Sequence, residues 1–425
     1  MKKIITSASL VVLGAASIQA AHVPAELNSM ETTKPWSISV SLRGFYDDNY
    51  TTSPKNVPGG EPSSFGFELS PSASLNLPLD QTFIGLSYVY SMRYYDDRSN
   101  NRADHMHQFN AKLDHRFSEK FKVETSDSFV IAQEPTIIDS GIISTPLRTK
   151  GDVMRNTAKI DFAAQLTQLL GLELGYQNTF YDYDQEGPGS RSAVLDRMEH
   201  LFSIDLRWQV MPQTVGVLSY QYGIVNHNSD EFAIAPGFDP LGNPTPGVLS
   251  DKRDSRSHYL LVGADHTFNS QLNASVRVGG QLIDFHRLDE DEISPYADLN
   301  VTYAYAPGSY LQGGFRHQRN QTDDVGTFDN LTLDQESSNL YMSVHHKITP
   351  RLTGSILGQY QTSEFQGGLA NGGTDEYFIA GANLAYRFNP HLLAEAGYNY
   401  DKLNSELSDR GFTRNRVYIG IRATY

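Results

Sequence analysis

Residues 65–77 read FGFELSPSASLNL, and their alternation decides the fold. Phe65, Phe67, Leu69, Ala73, Leu75 and Leu77 share one parity; Gly66, Glu68, Ser70, Ser72, Ser74 and Asn76 share the other. A period of two puts apolar side chains on one face of a strand and polar ones on the opposite face. Ala158, Ile160, Phe162 and Ala164 repeat the pattern against Thr157, Lys159, Asp161 and Ala163. Stretches of this kind, roughly 9–15 residues long, follow one another along the chain. Short turns and long polar loops separate them alternately. Strands in soluble sandwiches run to about 5–6 residues. Strands of roughly ten, repeated over a whole chain, fit a closed barrel whose apolar face meets lipid. The expected fold is all-β: a transmembrane, antiparallel, up-and-down β-barrel.

The turns give the strand count. RFSEKF at 116–121, TFNSQL at 267–272, KITPRL at 347–352 and RFNPHL at 387–392 share one design. An apolar residue closes one strand, turn-forming residues follow, and an apolar residue opens the next. Related turns fall at 78–81, 165–168, 211–214 and 307–309. With a first and a last strand added, these turns predict about 18 strands, with 16 as the alternative, and both termini on the short-turn rim. That rim should be periplasmic. Nine longer connections, near 48–63, 96–104, 134–151, 183–196, 227–253, 286–292, 318–334, 364–373 and 401–411, carry the Asp, Asn, Gly, Pro and Ser expected of extracellular loops. The strands bordering 310–318 and 392–400 look short. Near Leu218 the apolar parity switches from Val215 and Val217 to Tyr220 and Tyr222, which predicts a bulge.

The start of the chain reads as an export signal. Residues 1–20 carry Lys2 and Lys3, an apolar core over 10–16 and Ala20 before the expected cleavage point. Residues 21–35 form a short polar periplasmic lead, and the barrel is expected over 36–425. There is no cysteine, which removes disulfides, thiolate metal sites and lipoprotein acylation together. The mean hydropathy of −0.42 excludes a helical membrane protein. With 34 Lys+Arg against 49 Asp+Glu the net charge is −15, so nucleic acid is not expected as a partner.

Aromatic residues bracket the strands. Trp36, Phe117, Phe121, Trp208, Phe268, Phe388 and Tyr425 fall at short-turn ends, and Tyr46, Tyr94, Phe180, Tyr222, Phe315, Tyr360 and Tyr400 near long-loop ends. Two such belts suit two lipid–water interfaces. The last strand ends on Tyr425, with Val417, Ile419, Ile421 and Ala423 on its parity. It resembles the C-terminal insertion signal of bacterial outer-membrane barrels, which implies recognition by the barrel-assembly machinery. SLRGFYDDNYTTSP at 41–54 resembles a family described as β-barrel porins of the second type. That resemblance implies a location in the bacterial outer membrane, surrounded by its lipid, and carries over no functional residues. Trimers are common among porins, so a homo-oligomer is compatible with the resemblance, although no interface is readable.

With the apolar parity on lipid, the other parity lines the lumen. Its charged residues include Arg93, Lys112, Asp114, Lys122, Glu124, Lys159, Asp161, Glu199, Asp205, Arg207, Arg277, Arg316, Arg416 and Arg422. Arg93, Lys112, Lys159, Arg277, Arg316 and Arg416 are the pore-lining candidates. Eighteen strands make a backbone ring roughly 35 Å across, too wide for side chains to fill. The third long connection, 134–151, is a candidate constriction, because Ile137, Ile138, Ile142 and Ile143 would be misplaced on an exposed loop. Glu134 and Asp139 could then oppose Lys112, Lys159 and Arg277 and set up a transverse field. Packing on neighbouring loops, lipid or another subunit is the alternative.

Neither catalysis nor a metal site is expected. There is no ordered Ser/His/Asp set. The acidic run 289–292 has no calcium-loop spacing, and His345 and His346 are adjacent on a strand and so point to opposite faces. No cofactor is implied. The leading expectation is a passive or weakly selective channel for small hydrophilic solutes. A structural or adhesive barrel working through its loops is the main alternative, and an outer-membrane hydrolase a weaker one. Asp127 and Asn178 break the lipid-face parity, as a register error, a bulge or a subunit contact would.

Overall fold

Each alternating stretch forms one strand, and 18 of them close into a single antiparallel sheet in the computed structural model, which describes residues 35–55, 57, 59–133, 152–239, 241–327 and 330–425. The first six are β1 (Trp36–Asp47), β2 (Ser64–Pro78), β3 (Thr82–Tyr95), β4 (Ala103–Arg116), β5 (Phe121–Ala132) and β6 (Val153–Gln165). Then come β7 (Leu170–Tyr183), β8 (Arg197–Met211), β9 (Thr214–His227), β10 (Ser255–Thr267), β11 (Leu272–Phe285) and β12 (Glu290–Ala306). The ring ends with β13 (Ser309–Asn320), β14 (Asp334–Lys347), β15 (Leu352–Gln366), β16 (Thr374–Asn389), β17 (Leu392–Ser405) and β18 (Phe412–Thr424). Every strand pairs with its sequence neighbours, and β18 returns to β1 with Thr424 opposite Ser39 and Arg416 opposite Asp47. No edge is left open, which is what a sheet in lipid requires.

The shared turn motif has a physical cause. Its third residue is a side-chain acceptor: Asn269 Oδ1 takes the amide hydrogens of Gln271 (2.8 Å) and Leu272 (3.0 Å). Thr349 Oγ1 does the same for Arg351 (3.3 Å) and Leu352 (2.9 Å), and Asn389 Oδ1 for His391 (2.8 Å). Backbone donors that the tight turn would leave unpaired are thus satisfied locally.

Three expectations about the strands need correction. The strands that looked short are 12 residues (β13) and 14 residues (β17) long. No bulge interrupts β9, because Val217 faces Arg207, Leu218 faces Leu206 and Tyr220 faces Ile204 in unbroken register. Val215 and Val217 therefore point inward, and Val217 is buried there. The connection expected over 286–292 is shorter, since β12 already starts at Glu290 and Asp289 takes a left-handed φ of 60° in the turn.

Outward faces carry the apolar parity. On β1, Ile38, Val40 and Leu42 are exposed while Ser41, Arg43, Phe45 and Asp47 are buried. Near both rims, outward imidazoles pair with tyrosines: Tyr90 with His105 (2.8 Å), Tyr176 with His200 (2.9 Å) and Tyr220 with His258 (2.8 Å) on adjacent strands, and Tyr305 with His346 (2.9 Å) across β13. Each pair satisfies polar atoms that lipid cannot. Asp127 and Asn178 also stand outward in continuous register, which removes the bulge and register-error readings. Asn156 Nδ2 donates to Asp127 (3.1 Å), and Asn178 Nδ2 to the Glu199 carbonyl (3.1 Å).

Candidate functional site: the lumen and its mouth

Luminal charges gather toward the short-turn half of β4–β11. Lys112 pairs with Asp114 (3.3 Å), Lys159 with Asp161 (2.9 Å), and Lys122 with Glu124. Arg207 then joins Glu173 (3.6 Å) to Asp265 (2.7 Å), and Asp265 also takes Arg277 (2.7 Å). Farther round the wall Arg316 Nε donates to Asp298 (2.9 Å). Alternation explains the belt: i and i+2 share a face, and register brings the next strand's charge alongside. Most of these side chains keep contact with solvent, Lys159 with 48% of its side chain exposed. Signs alternate around the belt, so its net field is small.

All six pore-lining candidates lie on the inward parity, but in two settings. Lys112, Lys159, Arg277 and Arg316 belong to the open wall just described. Arg93 and Arg416 belong instead to a buried network on β17, β18 and β1–β3. There Glu68 binds Arg43 (3.1 Å) and Arg93 (2.9 Å), Glu395 binds Arg43 (2.6 Å), and Asp47 binds Arg414 Nε (3.0 Å). Glu134 and Asp139 lie outside the described residues.

Four connections converge over the long-loop end: 184–196, 228–254, 321–333 and 406–411. The first holds a short helix α1 (Arg191–Leu195), whose first turn is capped by Ser190 accepting the Ala193 amide (3.1 Å). The second ends in a 3-10 turn, Ser250–Arg253. Arg253 is 1% exposed and stitches three of these connections together. It donates to the carbonyls of Val194 (3.1 Å), Thr322 (2.7 Å) and Leu333 (3.3 Å). Burial, with the Arg197 guanidinium nearby, pulls Arg253 down to about 10, still well above neutral pH.

Asp323 shows how far the 321–333 connection reaches. It lies 3.8 Å from Arg191, between β7 and β8, and 2.9 Å from Arg410, between β17 and β18. Those roots are ten strands apart one way round the ring and eight the other, nearly diametric. A residue touching both must lie over the mouth between them. Val325 supports this, since it packs against Ala132, Val153, Tyr181, Tyr183, Val194 and Leu195 on one side. It also packs against Ile234, Ile283, Phe285, Leu331 and Leu333 on the other. Apolar residues in otherwise polar loops are thus what pins the crossing.

Asp196, at the C-terminal end of α1, should make this assembly sensitive to pH. Asp196 accepts from the Tyr183 amide (2.8 Å) and the Ser192 hydroxyl, yet burial outweighs both and pushes it up to about 6. A carboxyl raised in the folded state stabilises docking fully below its ordinary value, and that contribution is lost as pH rises through about 6. Amide protection of 187–196, corrected for intrinsic exchange, should therefore be higher at about pH 5 than at neutral pH. Asp196→Asn should flatten the difference; an unchanged pH profile would count against this assignment.

Residues 335–425, spanning β14–β18, match a family model described as "Putative beta-barrel porin 2". That match covers 91 of the 425 residues. The barrel is similar to the siderophore receptor PirA from Pseudomonas aeruginosa, with a TM-score of 0.45, 9% identity, and 93% of this chain and 81% of that one covered. For a BenF-like porin from Pseudomonas fluorescens Pf-5 the values are 0.45, 10%, 92% and 99%. For OccAB4 from Acinetobacter baumannii they are 0.44, 12%, 92% and 99%. Superpositions this loose carry no inference about cargo or gating. No curated protein matches the chain.

Proposed function

We propose that the barrel is a passive or weakly selective outer-membrane channel for small hydrophilic solutes, narrowed at its extracellular mouth by the bridging connections, and not an enzyme. The observation that carries this reading is the belt of paired, solvent-touching charges inside a ring roughly 35 Å wide. Such a wall favours water over packed apolar residues and, being balanced in sign, favours weak selectivity. Purified barrel in planar bilayers should give discrete conductance steps; an electrically silent preparation would refute the channel.

Residues 1–20 serve as the export signal in this reading, 21–35 as the periplasmic lead, and Tyr425 as the mark read by the assembly machinery. Glu134 and Asp139 remain candidates for facing the wall cations Lys112, Lys159 and Arg277. Self-association would use the outward face of β5–β8, where Asp127, Asn156 and Asn178 make lipid contact costly. The crossing of the mouth favours a second reading, a sealed barrel acting through its loops. Liposomes separate the two, because a sealed barrel leaves them tight to sugars.

Ion preference should follow the luminal belt rather than the acidic total. Charges beyond a Debye length of about 8–10 Å from a permeating ion are screened. Replacing Lys159 and Arg277 with Gln leaves Asp161 without its lysine and Asp265 with only Arg207. That pair of substitutions should move the reversal potential toward cations more than neutralising the acids at 289–292. The opposite ranking in matched recordings would place the filter in the loops.

A further inference from the structure

The short-turn rim is uneven in charge. Turns 78–81 and 116–121 mix signs, with Asp80 and Glu119 against Arg116 and Lys120, and those at 165–168, 211–214, 267–272 and 307–309 carry none. The last two, KITPRL at 347–352 and YRFNPHL at 386–392, hold Lys347, Arg351 and Arg387 and no acid. Register sets them side by side: Lys347 faces Thr353, Leu352 faces Tyr386, and the Arg387 amide donates to the Arg351 carbonyl (2.8 Å). All three cations are exposed, and none forms an ion pair among the described residues. The terminal carboxylate of Tyr425 lies farther round, at the seam of β18 with β1. The outward side of this edge is apolar. Ile348 Cδ1 and Leu384 Cδ2 lie 3.3 and 3.4 Å from where a Cβ on Gly354 would stand, so both side chains cover that outward glycine. They and Ile356 are exposed, and the rings of Tyr386 and Phe388 meet at 5.1 Å on the same edge. His346 faces Gly354 from β14, and the Tyr305 hydroxyl holds its Nδ1 at 2.9 Å, which leaves Nε2 as the other edge of the ring. Cations without carboxylate partners thus border a surface that meets lipid.

We propose that this edge binds an anionic phospholipid of the periplasmic leaflet, its phosphodiester held by Arg351 and His346 and its acyl chains lying on Ile348, Ile356 and Leu384. A guanidinium matches two phosphate oxygens, and an imidazole whose Nδ1 takes the Tyr305 hydroxyl hydrogen carries its own hydrogen on Nε2, a further donor. Lys347 and Arg387 end their strands on the inward parity, so they contribute positive field rather than contact. That field attracts a net negative headgroup such as phosphatidylglycerol and repels the ammonium of phosphatidylethanolamine. Aromatic rings at the interface and apolar side chains above them give the acyl chains their usual surroundings. The site goes beyond the channel reading and is independent of whether the lumen conducts.

Native mass spectrometry of the purified barrel in detergent micelles, titrated with phosphatidylglycerol or phosphatidylethanolamine, tests the site. Wild type should take up its first phosphatidylglycerol about tenfold or more tightly than its first phosphatidylethanolamine. Arg351→Gln should bring the two lipids to within about threefold of each other, and Arg351→Lys should keep part of the preference, since an ammonium attracts phosphate without matching two of its oxygens. Arg351 is an exposed turn residue, so heat-modifiable migration should stay normal in both variants. Lys120→Gln, which removes one cation from a turn of mixed sign, should leave the preference as in wild type. Equal uptake of the two lipids by wild type, or an undiminished preference in Arg351→Gln, would overturn the proposal. An equal loss in Lys120→Gln would reduce the effect to overall charge and overturn the site. Tighter uptake of lipid A than of phosphatidylglycerol, lost in Arg351→Gln, would overturn the assignment to the periplasmic leaflet.

Discussion

Arg253→Met is expected to loosen the extracellular mouth and leave the barrel intact. The substitution keeps much of the side chain's volume but removes the donors that Val194, Thr322 and Leu333 accept. Hydrogen bonds from a charged donor contribute about 1.5–3 kcal/mol each, and about 1.4 kcal/mol is a tenfold change in an equilibrium. Losing one bond would thus shift the docked mouth about tenfold, and losing three more. None of the three carbonyls belongs to a strand pairing of the ring, so the 18-stranded sheet should keep its heat-modifiable migration. Liposome swelling with sugars of graded size should show a higher size cut-off, and single-channel recordings a larger or longer-lived open level. Arg253→Lys should fall between, since an ammonium keeps the charge but cannot span three carbonyls in one plane. An unchanged cut-off in Arg253→Met would mean that the crossing connection does not limit passage.

The second large effect is on assembly. Tyr425 N–H donates to the Ile38 carbonyl (2.9 Å), and Ile38 N–H donates to the Tyr425 carbonyl (3.2 Å). The Tyr425 ring lies 5.7 Å from that of Trp36 and 6.4 Å from that of His391. This residue therefore adds the last backbone pairing to the seam between the first and last strands and sets its ring among the aromatics of the short-turn rim. Deleting Tyr425 frays the seam in the place where lipid offers no replacement hydrogen bonds. Tyr425→Asp keeps the backbone pairing but puts a charge at the interface. Surface levels should fall several-fold for the deletion and less for the aspartate. Normal levels of folded protein in both variants would refute the role of this residue as an assembly signal.

Much of this could be read along the chain, because strand alternation, turn chemistry and aromatic belts are local. Phe65, Phe67 and Leu69 against Gly66, Glu68 and Ser70 settle which face meets lipid without any partner being known. Asn269, Thr349 and Asn389 mark their turns through bonds that span only two or three residues. Where local order misled, a neighbour overruled it. Val215 and Val217 look outward by composition, but the register with Arg207 and Leu206 turns Val217 inward.

The mouth was not legible in the same way. Isoleucines at 137–143 suggested a docked loop, and that loop lies outside the described residues. The same logic applied to Val194, Leu195, Val325, Leu331 and Leu333 would have pointed to the connections that the structure brings together. Nothing in the sequence around Arg253 announces that its three acceptors come from residues 59, 69 and 80 positions away. The inward candidates show the same limit. Lys159 and Arg416 have equivalent parity, yet one is open to solvent beside Asp161 and the other is buried opposite Asn399. By itself the sequence determined the class of fold, the two faces of the wall, the short-turn rim and the closing strand, because each depends on a period of two and on turns a few residues long. Only the tertiary structure decided which loops cross the mouth, which luminal charges are paired and which wall cations are buried, because those depend on what closure of the ring brings side by side from opposite parts of the chain.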